Sequence, residues 1–136
     1  MSITRHERRL NDLFNLARDH SPQDLASVVS SIYIGNKLVS YGFNSRKTHP
    51  LQYYYSKNSS AICIHAEIDA IRNALRFVHV DGLKGASIYI ARAKAPAPRK
   101  PKSLMGLAKP CSGCARAISA FGISNVYYTQ DGVCNG

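Results

Sequence analysis

At 136 residues the chain can enclose one hydrophobic core, so residues 1–136 are expected to form one domain. Hydrophobic residues at 45% and charged residues at 19% exclude a disordered chain, and no apolar run approaches the roughly 20 residues of a membrane-spanning helix. Eighteen Lys and Arg against eight Asp and Glu give a formal net charge of +10, which points to an anionic partner, a nucleotide or a nucleic acid, ahead of solubility alone and of a membrane surface.

The N-terminal run Met1-Ser2-Ile3-Thr4-Arg5-His6-Glu7-Arg8-Arg9 is too polar for a secretory signal, so a cytoplasmic protein is expected. In that reducing setting the four cysteines read as thiols or metal ligands rather than disulfides. Thr4-x-x-Glu7 is a capping box. Leu10, Leu13, Phe14 and Ala17 follow at helical spacing to about Asp19, ahead of Pro22. Residues 26–34 and 38–41 are β-rich and flank Gly35-Asn36, a two-residue hairpin turn. Residues 44–60 are polar, carry Pro50 and the run Tyr53-Tyr54-Tyr55, and read as a loop. Ile64, Ile68, Ile71 and Leu75 mark a second helix with one apolar stripe. Residues 87–91 form a short strand, and 92–109 a basic loop punctuated by Pro96, Pro98 and Pro101. A third helix opens near Pro110, a residue tolerated in a first turn, and residues 123–129 close the pattern as a strand. Helical crossovers are right-handed and leave the strands they join parallel. The order therefore predicts a three-layer α/β/α domain with a mixed central sheet, its active site at one sheet edge where helix starts converge.

Two helix starts carry chemistry. Cys111 and Cys114, three positions apart in Pro110-Cys111-Ser112-Gly113-Cys114, lie on one helix face and can chelate one ion. The positive end of the helix dipole favours their thiolates. His65, opening the second helix in His65-Ala66-Glu67, adds a nitrogen ligand. Three protein ligands leave the fourth position of a catalytic Zn2+ open for water. Glu67 then stands beside the metal, placed to carry a proton from that water to a leaving group. Taken alone, a C-x-x-C pair is equally a redox pair or half of a structural zinc site, and an H-x-E is commonly a satisfied surface or core pair. A structural site needs a fourth ligand, for which only Cys63 and Cys134 are spare, and both read as ordinary buried or tail thiols.

The order H-x-E followed by P-C-x-x-C is the signature of zinc nucleobase deaminases. The stretches His65-Ala66-Glu67-Ile68-Asp69-Ala70-Ile71 and Lys109-Pro110-Cys111-Ser112-Gly113-Cys114-Ala115-Arg116-Ala117-Ile118 resemble the deoxycytidylate (dCMP)/tRNA-adenosine deaminase branch of the cytidine deaminase superfamily. Gly122-Ile123 and Val126-Tyr127-Tyr128-Thr129 extend the resemblance, which covers roughly residues 26–132. It implies a cytidine-deaminase-like fold and a zinc-dependent hydrolase of nucleotide metabolism, in which zinc-bound hydroxide attacks the base and ammonia is released. A histidine ligand fits this branch, since free-nucleoside cytidine deaminases commonly use a cysteine there. Gly42-Phe43-Asn44 resembles the short G-x-N segment of the branch, which makes Asn44 a substrate-binding candidate beside the alternative of a simple turn residue. By the same analogy the Ala66 backbone lies next to the base, and a homo-oligomer is implied.

Two departures stand out. The chain stops seven residues after Thr129, where many relatives continue into another helix and strand. The loop 92–109 holds six Lys or Arg and no acid, either a solvated connection or a phosphate-gripping flap beside the zinc. Three functions fit. A cytosine nucleotide deaminase, dCMP-deaminase-like, would bind phosphate through Arg46, Lys47 or the basic loop. A deaminase of cytosine or adenine within single-stranded RNA or DNA would stack the splayed base on Tyr53, Tyr54 or Tyr55. A non-catalytic zinc or nucleic-acid-binding module is disfavoured by Glu67. The nucleotide enzyme ranks first.

Overall fold

The computed structural model describes residues 4–19, 27–57, 63–94 and 104–133. Helix α1 (Arg5–Asp19) starts at Thr4, whose Oγ1 accepts from the Glu7 N–H at 3.1 Å. Strands β1 (Ser27–Ile34) and β2 (Lys37–Phe43) form the expected antiparallel hairpin. Gly35 closes it at a φ of +61°, a region that L side chains avoid. Helices α2 (Pro50–Ser56) and α3 (Ala66–Ala74) follow, then a 3-10 turn at Val80–Leu83 and strand β3 (Ser87–Lys94). The chain continues through β4 (Leu104–Gly106), α4 (Ser112–Ala120), β5 (Asn125–Tyr128) and β6 (Gly132–Val133).

The sheet is mixed. β1 is antiparallel to both β2 and β3. The far edge of β3 is shared, with β5 parallel along residues 87–90 and β4 antiparallel along 92–94, while β6 extends β4. The α4 crossover thus brings β5 parallel to β3. Along β1 and β3 alternate side chains serve opposite layers. Val29, Tyr89, Ala91 and Ala93 pack beneath Leu13, Phe14 and Ala17 of α1. Ile32, Ile88 and Ile90 pack against Ile68 and Ile71 of α3 and Ala117 and Ile118 of α4. This is the expected three-layer α/β/α arrangement, and it explains why Ile88, Tyr89, Ile90 and Ala91 are all buried: covered strands need not alternate with polar residues. Among the described residues no helix is long and apolar enough to cross a membrane.

Two expectations are corrected. The loop foreseen over 44–60 contains α2, for which His49 is the N-cap, its side chain accepting from the Leu51 N–H, with Pro50 at the first turn. A proline there starts a helix because its missing N–H would have been unpaired anyway. The basic loop over 92–109 begins and ends in sheet: Ala93 pairs with Met105 and Arg92 with Gly106. Here Ala91 and Ala93 face the core while Arg92 and Lys94 alternate with them, a period of two that the run of charge conceals. Pro96, Pro98, Arg99, Lys100, Pro101 and Lys102, like Pro22, Ala26 and Cys134, lie outside the described residues.

Candidate active site

The first turn of α3 is tied firmly to the sheet. The Ser30 hydroxyl donates to the Ala66 carbonyl at 2.6 Å and the Ser40 hydroxyl to the Ala70 carbonyl at 2.8 Å. Asp69, buried and paired with Arg72, accepts from the Phe43 N–H at 2.9 Å. At the head of this helix His65 occupies the N-cap position, and its side chain makes no capping bond to the helix. Its ring faces α4 instead. Glu67, two residues on, is 5% exposed, and burial pushes its carboxyl pKa up.

On α4, Cys111 is the N-cap, its sulfur accepting from the Cys114 N–H at 3.5 Å, and Cys114 is fully buried one turn along. His65 Nδ1 stands 3.6 Å from the Cys111 Sγ and 3.3 Å from the Cys114 Sγ. The ligand atoms all lie within 4.8 Å of one another. A tetrahedral zinc with bonds of about 2.3 Å to sulfur and 2.0 Å to nitrogen separates the two donors by about 3.5 Å. The donor set therefore fits zinc in both chemistry and spacing. The electrostatics agree. Hydrogen bonds from Cys114 and then His65 lower the Cys111 thiol to about 3, so a thiolate ligand is ready. Cys114 is pushed up by its hydrogen bond to Cys111 and by burial, and His65 is raised chiefly by its bond to Cys111. A divalent ion held by His65, Cys111 and Cys114 would favour the thiolate form of both cysteines. Cys63, expected to be buried, is exposed, beside an isolated bridge to Thr48 at the surface. Among the described residues it joins no metal-ligating cluster.

Beside these donors opens a pocket of about 400 Å³ whose lining includes Val28, Asn44, Ala66, Glu67, Arg92, Lys109 and Cys111, a size suited to a small ligand. Of the candidates from sequence, Asn44 and Ala66 meet there with His65, Glu67 and Cys111. Asn44 is held by Val28 in both directions, its N–H donating to the Val28 carbonyl at 3.1 Å and its Oδ1 accepting from the Val28 N–H at 3.0 Å. It thus acts as a strand-end residue and as pocket wall together. Arg46 and Lys47 are exposed and are not among the lining residues. The two ends of the basic segment, Arg92 and Lys109, are. Thr129, buried, sets this wall: its hydroxyl donates to the Gly106 carbonyl at 2.7 Å and accepts from the Arg92 N–H at 3.1 Å. Tyr53 and Tyr54 are exposed beside a separate hollow that also includes His49 and Lys57, whereas Tyr55 turns inward against Phe121.

Comparison with known proteins agrees with this geometry. The fold is similar to that of apo dCMP deaminase from the cyanophage S-TIM5, at a TM-score of 0.61 and 15% identity over 95% of this chain and 86% of that one. Cytidine deaminase from Burkholderia pseudomallei matches at a TM-score of 0.57 and 20% identity over 97% and 91% of the two chains. Acinetobacter baumannii RibD matches at 0.52 and 20% identity, covering 92% of this chain and 28% of its own. No curated protein matches. The family model of the cytidine and deoxycytidylate deaminase zinc-binding region spans residues 3–130. With that span and these metal donors, the chain belongs to the cytidine and deoxycytidylate deaminase family of zinc-dependent hydrolytic deaminases.

Proposed function

We propose that the enzyme deaminates a free cytosine nucleotide of the dCMP kind, converting it with water into the uracil nucleotide and ammonia. One observation carries the reading: two basic side chains, Arg92 and Lys109, line the same small pocket as Glu67 and the metal donors. A base reaching Glu67 would leave a phosphate within that basic wall, and charge-assisted bonds to phosphate are among the stronger polar contacts. We assign the phosphate to Arg92 and Lys109 in preference to the exposed Arg46 and Lys47.

Held by His65, Cys111 and Cys114, zinc would lower the pKa of a water molecule so that it attacks at neutral pH. Glu67 accepts a proton from the attacking water and delivers it to the departing amino nitrogen. The other proton of the water ends on ring N3 as the carbon–nitrogen bond breaks, ammonia leaves, and the new carbon–oxygen bond becomes the uracil carbonyl. Burial pushes the Glu67 carboxyl pKa up, which favours its giving back the proton it has taken. Asn44 and the Ala66 backbone hold the base in place.

A second reading, a base within single-stranded RNA or DNA, is favoured by the exposed Tyr53 and Tyr54 with Lys57 and by the charge of +10. A cytoplasmic homo-oligomer accords with either reading, and exposed Leu38, Tyr41, Phe77 and Val80 offer apolar surface for assembly. Ammonia release measured across nucleosides, nucleotides and oligonucleotides tests the choice. Turnover of dCMP or its close relatives supports the first reading; turnover of oligonucleotides alone replaces it with the second.

A further inference from the structure

The metal donors come from two helices, and a third, α2, is bonded to both. Gln52 of α2 is fully buried. Its Oε1 accepts from the backbone N–H of the ligand His65 at 2.9 Å, and its Nε2 donates to the Ser56 hydroxyl at 2.8 Å. Ser56 in turn lies against Gly113, one of the two residues between the cysteine ligands: a Cβ there would stand 2.9 Å from the Ser56 Cα and 3.0 Å from its Oγ. Arg116 of α4 completes the junction, Nε donating to the Tyr55 carbonyl at 2.9 Å and Nη2 to the Ser56 carbonyl at 3.2 Å. An unbroken run of contacts therefore links His65, Gln52, Ser56 and Gly113.

A helix of seven residues has little stability of its own. A buried amide is costly unless its polar atoms are paired, and here the oxygen and the nitrogen each find a partner. We infer that Gln52 is a positioning residue for the metal centre, and that α2 is the splint fixing His65 against Cys111 and Cys114. The main chain of His65 is fixed on one side by α3 and on the other by this amide. Loss of the amide frees the N-cap residue to swing its ring away from the sulfurs, while Cys111 and Cys114 remain paired within α4.

The test is zinc affinity by chelator competition on the full chain, with the visible spectrum of the cobalt(II)-substituted protein as an independent reading of ligand geometry. Gln52→Met keeps the volume and removes both bonds. It is expected to weaken zinc about 10- to 100-fold, the usual cost of losing a partner behind a ligand, and to diminish the intense tetrahedral cobalt bands. Gln52→Glu retains an acceptor for the His65 N–H and accepts from the Ser56 hydroxyl, so it should restore most of both readouts. If Gln52→Met does not fold, Arg116→Met releases the same splint from the α4 end and should weaken zinc several-fold with the same spectral change. Wild-type zinc affinity and an unaltered cobalt spectrum, in Gln52→Met or failing that in Arg116→Met, would reduce α2 to ordinary packing and overturn the inference. Neither readout involves substrate, so this outcome is independent of which base the enzyme deaminates.

Discussion

Gly42 of β2 lies directly beneath α3: a Cβ at this position would stand 2.1 Å from the Ala66 carbonyl oxygen and 2.2 Å from the Ala70 nitrogen. Helix and strand approach this closely because Ser30 and Ser40 each donate to a carbonyl of the helix. The three residues Gly42, Phe43 and Asn44 then work in sequence. The first admits the helix, the second donates its N–H to Asp69, and the third returns to Val28 and the pocket. Gly42→Ala should destabilise the fold by about 3 kcal/mol or more, the upper end of overpacking costs, because only backbone stands in the way. Equilibrium urea unfolding of the zinc-loaded protein measures this, and a loss below about 0.5 kcal/mol would mean that α3 is free to ride up off the strand.

The metal donors were legible in sequence because their spacing is local. Cys111 and Cys114 share a helix face by position alone, and His65 and Glu67 are set by one helix start. What could not be read was long-range. Gln52 sits among tyrosines in a segment with no apolar period, and only the packing of α2 on α4 and its bond to His65 at the head of α3 give its amide a purpose. Arg92 was hidden differently, since a run rich in Lys, Arg and Pro masks the alternation that makes it a strand residue facing the pocket. In sequence Arg46 and Lys47 are equally suited to phosphate, because charge carries no information on where a side chain points.

The purified protein should carry about one zinc per chain, since two thiolates and an imidazole make a high-affinity site. Cys111→Ala and Cys114→Ala should both lose the metal, and Cys114→Ala should also lose stability because its side chain is fully buried. Cys63→Ser should retain full occupancy, Cys63 being exposed and outside the donor cluster. Metal analysis by mass spectrometry decides, and zinc lost from Cys63→Ser would make the centre a four-ligand structural one.

Glu67→Gln should fold and bind zinc normally yet turn over about 10²- to 10⁴-fold more slowly, the range for removing general acid–base catalysis. The amide has nearly the same volume in a site that is 5% exposed, so packing survives while the proton carrier does not. Activity within a few-fold of the parent would shift proton transfer to another group.

Arg92→Met with Lys109→Met should lower the preference for dCMP over deoxycytidine, taken as the ratio of kcat/KM values. Methionine retains the stem of Arg92, which packs so closely on Gly106 that a Cβ there would stand 2.8 Å from its Cδ. Hydrogen bonds to a charged group contribute about 1.5–3 kcal/mol each, so losing both should lower the ratio by about 100-fold or more. An unchanged ratio would place the phosphate elsewhere and return Arg46 and Lys47 to consideration.

Salt dependence separates the two substrate classes. A free nucleotide needs only the basic groups of its pocket, so most of the +10 is incidental to binding. Neutralising Arg99, Lys100 and Lys102 together should then raise KM modestly, with a shallow response to salt. A polynucleotide touches many phosphates at once and releases counterions as it binds. Its affinity should fall steeply, with a log–log slope of about −0.7 per contacted phosphate for a single strand. The triple substitution should flatten that slope by about two units, since each lost contact removes most of one counterion. The two basic residues that line the pocket favour the shallow response. A steep slope with single-stranded RNA or DNA, joined to deamination of that strand and none of dCMP, would instead make the exposed tyrosines of α2 part of a nucleic-acid path to Glu67.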